Sequence, residues 1–131
     1  MQNKSLAILT LSAAFALSAC ATTAGAPLPG GSDVALGQKA YVDGPLVQPV
    51  EVVEDSRCPM NARCVWAGRV RVKMLWLRGN GEKQPFEVTL GEETQLADGK
   101  FTLESVRPEK MTNVTIKPSD YRFSFRFAGG L

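Results

Sequence analysis

The chemistry open to this chain is limited by its residue types, because its 131 residues include three cysteines and no histidine. Without histidine there is no Ser-His-Asp or Cys-His catalysis, no histidine-ligated zinc or haem, and no imidazole that titrates near neutral pH. Two adjacent acid pairs, Glu54-Asp55 and Glu92-Glu93, remain as candidates for the paired carboxylates of a glycosidase. Sequence neighbours on a strand point to opposite faces, so neither pair is expected to form a catalytic dyad. We therefore expect a protein that is not an enzyme.

Metal and nucleic-acid binding are not indicated either. No group of cysteines and carboxylates has the spacing of a zinc site, and the four methionines are dispersed rather than grouped as copper ligands. The 15 Lys and Arg against 13 Asp and Glu give a net charge of +2, far from the surplus typical of a nucleic-acid binder. The sequence predicts no metal, no cofactor and no nucleic-acid partner.

The N-terminus has the pattern of a targeting segment. Lys4 gives it a positive start, and residues 5–19 form an uncharged run of apolar and small residues. This run is too short for a helix that spans a bilayer, which needs about 20 apolar residues. It ends in Leu17-Ser18-Ala19-Cys20, which resembles the lipobox of bacterial lipoproteins.

The lipobox resemblance implies a cleaved signal peptide over residues 1–19 and a diacylglycerol on the sulfur of Cys20. A plain secretory signal is the alternative. In similar lipoproteins of Gram-negative bacteria, an aspartate directly after the lipidated cysteine favours retention in the inner membrane, whereas Ala21 stands here. We expect an envelope protein anchored by lipid in the outer membrane and facing the periplasm.

The other two cysteines form an even pair if Cys20 carries the lipid. Disulfides persist in the bacterial envelope, so Cys58 and Cys64 are predicted to form one. The bridge closes a loop of seven residues, counting both ends. In the chain-entropy model such a loop contributes about 2 to 2.5 kcal/mol.

The composition of residues 21–32, ATTAGAPLPGGS, predicts a tether. These residues bury too little apolar surface to fold, so residues 20–32 are expected to form a lipidated, flexible segment. Its root-mean-square reach is roughly 20 Å. Residues 33–131 remain as a single domain, which is long enough to bury one core.

This domain is dominated by alternating apolar and polar residues, the pattern of half-buried strands. In residues 121–127, aromatic side chains alternate with Arg and Ser. In residues 65–77 the same alternation places Trp66 on the apolar face of a strand. About seven strands with frequent turn signals predict an all-β fold, a small antiparallel β-sandwich of immunoglobulin-like or related type. The predicted strands are residues 36–42, 46–54, 65–77, 85–90, 101–106, 114–117 and 121–127.

One segment stands out from this background: residues 54–68, EDSRCPMNARCVWAG. It resembles the DSRCP...CxWAG signature of small bacterial secreted proteins and lipoproteins that have no established function. The likeness extends to the neighbouring hairpins and to the PSDYRFSFRF ending. It implies a β-rich domain and supplies no activity, cofactor or catalytic residue.

Two interpretations of this segment stay open. In the first, the disulfide fastens a connection between two strands, with Asp55 paired to Arg57 or Arg63. Gly68 then marks a bulge or a close approach of two backbones. In the second, residues 59–63 form a rigid recognition loop, because closure lowers the entropy lost on binding. The candidate contact residues of that loop are Pro59, Met60 and Arg63.

A second candidate surface is basic, because six basic residues and no acidic one lie between Asp55 and Glu82. Three of the six share a strand face that suits lipid phosphates, acidic glycans or an acidic protein. The alternative is a solvated face whose cations pair with residues such as Glu87 and Glu104. The three basic residues are Arg69, Arg71 and Lys73.

These features predict a lipid-anchored envelope lipoprotein that acts as a non-enzymatic binding module. Its expected partners are the membrane, through the anchor, and an envelope protein or glycan. The alternative is a small inhibitor of a protease or other hydrolase that presents the loop between Cys58 and Cys64.

Overall fold

The structure is a computed structural model that describes residues 30–129. The predicted signal peptide, Cys20 and the predicted tether up to residue 29 lie outside this range. Within it, no helix is long and apolar enough to span a bilayer. The strands are β1 (Val34–Ala35), β2 (Ala40–Tyr41), β3 (Leu46–Asp55), β4 (Val70–Leu77), β5 (Lys83–Thr89), β6 (Glu93–Leu96), β7 (Gly99–Arg107) and β8 (Arg122–Gly129), and a 3-10 helix covers Pro118–Asp120.

The eight strands form two four-stranded sheets, one in the order β1-β8-β7-β6 and the other in the order β2-β3-β4-β5. All pairs of these strands are antiparallel. Strands that follow each other within a sheet are joined as hairpins, and the chain crosses between the sheets after β1 and again after β5. The short β1 is an edge strand of the sheet that contains β6, β7 and β8, and its Val34 pairs with Phe123 of β8. The predicted all-β sandwich is confirmed.

The core lies between the two sheets and follows the alternation seen in the sequence. The buried residues on the inner faces of β4 and β8 are Val70, Val72, Met74, Phe123, Phe125 and Phe127. Phe101 of β7 packs against Phe125 with ring centroids 5.2 Å apart. Phe86 of β5 meets Phe101 edge-on at 5.5 Å, so this contact joins the two sheets.

The predicted strand over residues 65–77 is wrong at its N-terminal part, because β4 begins at Val70. Trp66 therefore does not share the buried face of this strand, and its side chain is 67% exposed. The alternation of residue types continues across Gly68, whose φ of +71° is incompatible with a regular strand. The backbone turns there, and residues 56–69 form a loop.

The predicted strand over residues 36–42 is wrong except at Ala40–Tyr41, which form β2, and the predicted strand over residues 114–117 is wrong throughout. Residues 114–117 are irregular: the amide of Val114 donates to the carbonyl of Met111 at 3.2 Å in a turn that contains Asn113 at φ +64°. Conversely, Glu93–Leu96 forms β6, although its sequence ETQL is mostly polar. This short strand pairs with β7 and buries one of its side chains, Leu96, so backbone pairing outweighs its weak apolar pattern.

The sandwich has two different ends. The hairpin end carries the tight turns that follow β2, β4 and β6. The loop end carries the longer connections over residues 56–69 and 108–121. The N-terminal part of the described range joins the sandwich between these two ends, where the carbonyl of Gly31 accepts a hydrogen bond of 2.6 Å from the amide of Phe125.

Candidate functional site: a braced loop with exposed apolar side chains

The distinctive motif of the sequence lies at the loop end. Cys58 and Cys64 form the predicted disulfide, with their Cα atoms 5.8 Å apart. We call residues 58–64 the stapled loop. At its base the amide of Cys58 donates to the carbonyl of Ala67 at 3.1 Å, and the amide of Ser56 donates to the carbonyl of Arg69 at 2.8 Å. The two arms that lead into the loop are thus paired backbone to backbone.

Gly68 makes this pairing possible. A Cβ atom added at this residue would lie 1.7 Å from the carbonyl oxygen of Ser56, which no side chain can tolerate. The positive φ of Gly68 also disfavours every residue with a side chain. The close backbone approach predicted for Gly68 is confirmed, although the residue precedes β4 instead of lying within it.

A polar cluster of Asp55, Arg57 and Tyr121 supports the base of the same loop. Arg57 donates from Nε to Oδ1 of Asp55 at 2.9 Å and from Nη2 to Oδ2 at 2.8 Å, which makes a bidentate pair. Arg57 Nη1 also donates to the carbonyl of Val106 at 3.1 Å. The hydroxyl of Tyr121 donates to Asp55 Oδ2 at 2.8 Å. The cluster therefore fastens the motif to β7 and to the residue before β8.

These contacts shift the pKa values of two members of the cluster. Burial alone would raise the pKa of Asp55, but the hydrogen bonds from Arg57 and Tyr121 and the guanidinium charge outweigh it and hold that pKa below its usual value. Burial raises the pKa of Tyr121 to about 12, helped by its hydrogen bond to the Asp55 carboxylate. The cluster is therefore an ionised carboxylate held by one guanidinium and one neutral phenol.

A second loop supports the first. The amide of Met60 donates to the carbonyl of Lys110 at 2.8 Å, and the amide of Thr112 donates to Oδ1 of Asn61 at 2.8 Å. Lys110 Nζ donates to the carbonyl of Asp55 at 2.6 Å. The stapled loop is thus held by a disulfide, by its own paired arms and by residues 110–112.

Apolar side chains are concentrated on the two long loops of this end, residues 56–69 and 108–121. Within residues 30–129, five of the eight large hydrophobic residues that are exposed to solvent belong to them. We call these five residues the apolar tip: Met60, Val65, Trp66, Met111 and Val114. The side chain of Val65 is as exposed as in an extended peptide, at 105%, and Met60 is 66% exposed. Exposed apolar side chains concentrated on two hydrogen-bonded loops make this end of the molecule a candidate interaction surface.

The structure places the sequence-predicted loop residues at this tip. Met60 and Arg63 are exposed, whereas Pro59 is half-buried. The amide of Ala62 donates to the carbonyl of Pro59 at 3.1 Å, so residues 59–62 form a turn. Sequence reasoning missed the exposure of Val65 and Trp66, and the one local signal against their strand assignment was Gly68. It also missed Met111 and Val114, whose loop is joined to the stapled loop by Lys110 and Thr112 in the tertiary fold.

The predicted basic face of Arg69, Arg71 and Lys73 is largely paired with acidic residues, and Arg69 precedes β4 instead of lying on it. Arg69 Nε lies 2.5 Å from Oε2 of Glu54, and Arg71 Nε lies 2.6 Å from Oε1 of Glu87. Lys73 lies opposite Glu51 on β3 and opposite Glu87 on β5. The arrangement matches the solvated, cross-paired face that was the alternative to a phosphate-binding patch. Arg122 and Arg126 lie on β8, in the other sheet, and so do not extend this face.

The hairpin end carries a recess of about 660 Å³ whose lining includes Tyr41, Trp76 and Phe127. The guanidinium of Arg78 lies over the Trp76 ring, 4.8 Å from its centroid, and Arg78 also pairs with Glu82 at 3.5 Å. Trp76 is therefore already in contact with a cation of the same chain. This end provides an exposed aromatic residue, Tyr41, that is remote from the apolar tip.

Groups of three or more His, Cys, Asp or Glu that could hold a metal ion do not occur within residues 30–129. Comparison of the chain with protein-family models, with curated proteins and with solved structures found no match. The likeness to small bacterial lipoproteins thus rests on the motif residues and remains a prediction.

Proposed function

We propose that this protein is a lipid-anchored lipoprotein of the bacterial envelope and a non-enzymatic binding module whose contact surface is the apolar tip. The N-terminal segment supports the anchor, and the loop end supports the contact surface. In this proposal Cys20 holds the domain near the outer membrane, and the tip engages another component of the envelope.

The observation that carries the proposal is the exposure of Trp66 on a loop that is fixed in place. A free, mobile loop loses conformational entropy when it binds. Trp66 lies in the arm that follows the stapled loop, and this arm is held by the disulfide and by the hydrogen bond between Cys58 and Ala67. Trp and Arg are the residue types that contribute most often to binding hot spots. Trp66 and Arg63 are both exposed at this end of the molecule.

The anchor is tested by metabolic labelling with a clickable palmitate analogue in a bacterial host. We expect the label on the wild-type chain and none on the Cys20→Ser chain. The label should accompany a smaller mature protein that partitions with the membranes. An unlabelled wild-type chain, or equal label on both chains, would contradict the lipobox assignment.

The contact surface is tested by placing a photo-crosslinking amino acid at position 66 in cells that make the full chain. The matched control places it at position 41, because Tyr41 is 55% exposed at the opposite end. We expect a discrete crosslinked product, protein or lipid, from position 66 and none from position 41. Absence of any product at position 66, or the same products at both positions, would argue against the proposed surface.

The inhibitor alternative has less support. Peptide segments that add to the edge of a partner's sheet do so in an extended form, whereas residues 59–62 form a turn. The alternative predicts that the protein at micromolar concentration inhibits at least one member of a panel of serine and cysteine proteases. We expect no inhibition in that panel.

A further inference from the structure

We propose that the component engaged by the apolar tip is the surface of an anionic phospholipid bilayer, into which Trp66, Val65 and Met60 insert. The inference rests on the proposed function for the anchor and deepens it for the contact surface. It concerns the bilayer itself, and capture of a protein at the tip is an outcome against it.

The shape of the tip favours a bilayer. The Val65 side chain makes little contact with its own fold, and Trp66 and Met60 expose about two thirds of their side chains, at 67% and 66%. Apolar groups that project from a loop can insert between lipid headgroups, because the lipids rearrange around the inserted side chains. Tryptophan is the residue type enriched at the boundary between headgroups and acyl chains.

The charges around the tip favour anionic lipid. The 56–69 loop contains three basic residues, Arg57, Arg63 and Arg69, and no acidic residue, whereas the other basic residues of this segment lie on β4 or at the hairpin end. Arg57 and Arg69 are paired with acidic residues, but Arg63 forms no salt bridge within the part of the chain that the structure describes. It lies in the stapled loop, two residues before Val65, and Lys110 approaches the same loop through its backbone. Glu109 is the acidic residue next to Lys110, so the attraction to anionic headgroups is moderate.

The position of the anchor allows the tip to reach the same membrane. The described chain enters at Gly31, beside Phe125, which is three residues along β8 from Arg122 at the loop end. Three residues of strand correspond to about 10 Å. Cys20 precedes Gly30 by ten residues, a span of at most about 36 Å when fully extended. Attachment to the bilayer also raises the local concentration of the tip, so a weak insertion suffices.

The two tryptophans of the chain provide the test, because Trp66 is at the loop end and Trp76 at the hairpin end. The lipidated protein is reconstituted in vesicles of phosphatidylcholine and phosphatidylglycerol that contain a brominated phosphatidylcholine, which quenches tryptophan fluorescence. The Trp76→Phe protein reports on Trp66, and the Trp66→Phe protein reports on Trp76. We expect at least twofold stronger quenching of Trp66 than of Trp76, and a decrease in that difference when phosphatidylglycerol is omitted.

Matched charge variants separate insertion from mere proximity to the vesicle. The Val65→Asp substitution should reduce the quenching of Trp66 to the level of Trp76. The substitution should not affect folding, because the Val65 side chain is fully exposed. Tyr41→Asp at the opposite end should leave the quenching of Trp66 unchanged. Equal quenching of both tryptophans, stronger quenching of Trp76, or a Val65→Asp protein that behaves as the parent would overturn the inference.

Failure of this inference is distinguishable from failure of the proposed function. A chain that does not incorporate into vesicles because it carries no lipid contradicts the anchor. A lipidated chain with unquenched Trp66 whose position 66 crosslinks to a protein in cells retains the proposed function and excludes the bilayer as its partner.

Discussion

The hydroxyl of Tyr121 donates a hydrogen bond of 2.8 Å to Oδ2 of Asp55, a residue 66 positions earlier in the chain. Asp55 ends β3 in one sheet, and Tyr121 immediately precedes β8 in the other. The same carboxylate oxygen accepts a hydrogen bond of 2.8 Å from Arg57 Nη2. This arrangement joins the two sheets at the base of the stapled loop, and it gives a structural reason for Asp55 and Arg57 in the sequence that precedes Cys58.

The Tyr121 hydroxyl is expected to contribute measurably to stability. Tyr121→Phe removes one donor to a carboxylate whose side chain is 9% exposed. A hydrogen bond to a charged group contributes about 1.5 to 3 kcal/mol, so the free energy of unfolding should fall by that amount. Urea denaturation monitored by circular dichroism measures the loss. Tyr41→Phe, at an exposed residue, is the control and should leave the midpoint unchanged, whereas equal effects of the two variants would contradict the role given to Tyr121.

The same contact predicts how stability depends on pH at both extremes. The pKa of Asp55 is lowered in the fold, so its contribution is present above the ordinary value near 3.8 and is lost as the pH falls through the folded value. The pKa of Tyr121 is raised from 10.0 to about 12, so its contribution is complete below pH 10 and is lost as the pH rises towards 12. Unfolding curves of the wild-type and Tyr121→Phe proteins at stepped pH check both limbs. We expect Tyr121→Phe to be less sensitive to pH between 10 and 12 than the Tyr41→Phe control.

Gly68 is expected to be indispensable for the loop. Gly68→Ala places a Cβ atom 1.7 Å from the carbonyl oxygen of Ser56, so the paired arms must separate and lose their hydrogen bonds. We expect a loss of roughly 4 kcal/mol or more, the range reserved for severe local disruption. Gly81 is a matched control, since its φ is +86° but nothing lies within 4 Å of the added Cβ atom. Gly81→Ala should cost only about 1 to 2 kcal/mol, the cost of a left-handed backbone with a side chain. Thermal unfolding of both variants decides whether the clash or the backbone angle dominates.

The sequence indicates the strands of this fold better than it indicates the surface of the loop end. Tyr121, Phe123 and Phe125 alternate with polar residues, and this alternation alone predicts β8 and its buried face. The same rule misplaces Trp66, because alternation of residue types says nothing about where Gly68 redirects the backbone.

The polar cluster shows the same limit. Pairing of Asp55 with Arg57 is local and was one of two expected outcomes, whereas the contact with Tyr121 depends on how the two sheets are stacked. The approach of Met111 to the stapled loop likewise depends on backbone hydrogen bonds between distant segments. No local sequence pattern predicts the contact between Asp55 and Tyr121 or the approach of the Met111 loop.

The disulfide is expected to stabilise the fold chiefly by restricting the unfolded chain. The bridge between Cys58 and Cys64 spans a sequence separation of 6, for which the chain-entropy model gives about 2 to 2.5 kcal/mol. The double variant Cys58→Ala, Cys64→Ala should lose about this amount in urea denaturation. Reductant should destabilise the wild-type protein to a similar extent and leave the double variant unchanged. A reductant effect on the double variant would show that the loss has another origin.

Trp66 is expected to contribute to contacts outside the molecule and very little to the fold. Its side chain is 67% exposed, and substitutions at exposed positions without special contacts change the free energy of unfolding by about 0.5 kcal/mol or less. Trp66→Ala should therefore unfold at the same urea concentration as the wild-type protein. Phe123→Ala is the contrasting variant, because Phe123 is fully buried and its removal should cost about 3 to 5 kcal/mol. A large loss of stability in Trp66→Ala would mean that the indole packs against the loop and has a structural role. An unchanged stability would agree with a role of Trp66 in the contacts proposed for the apolar tip.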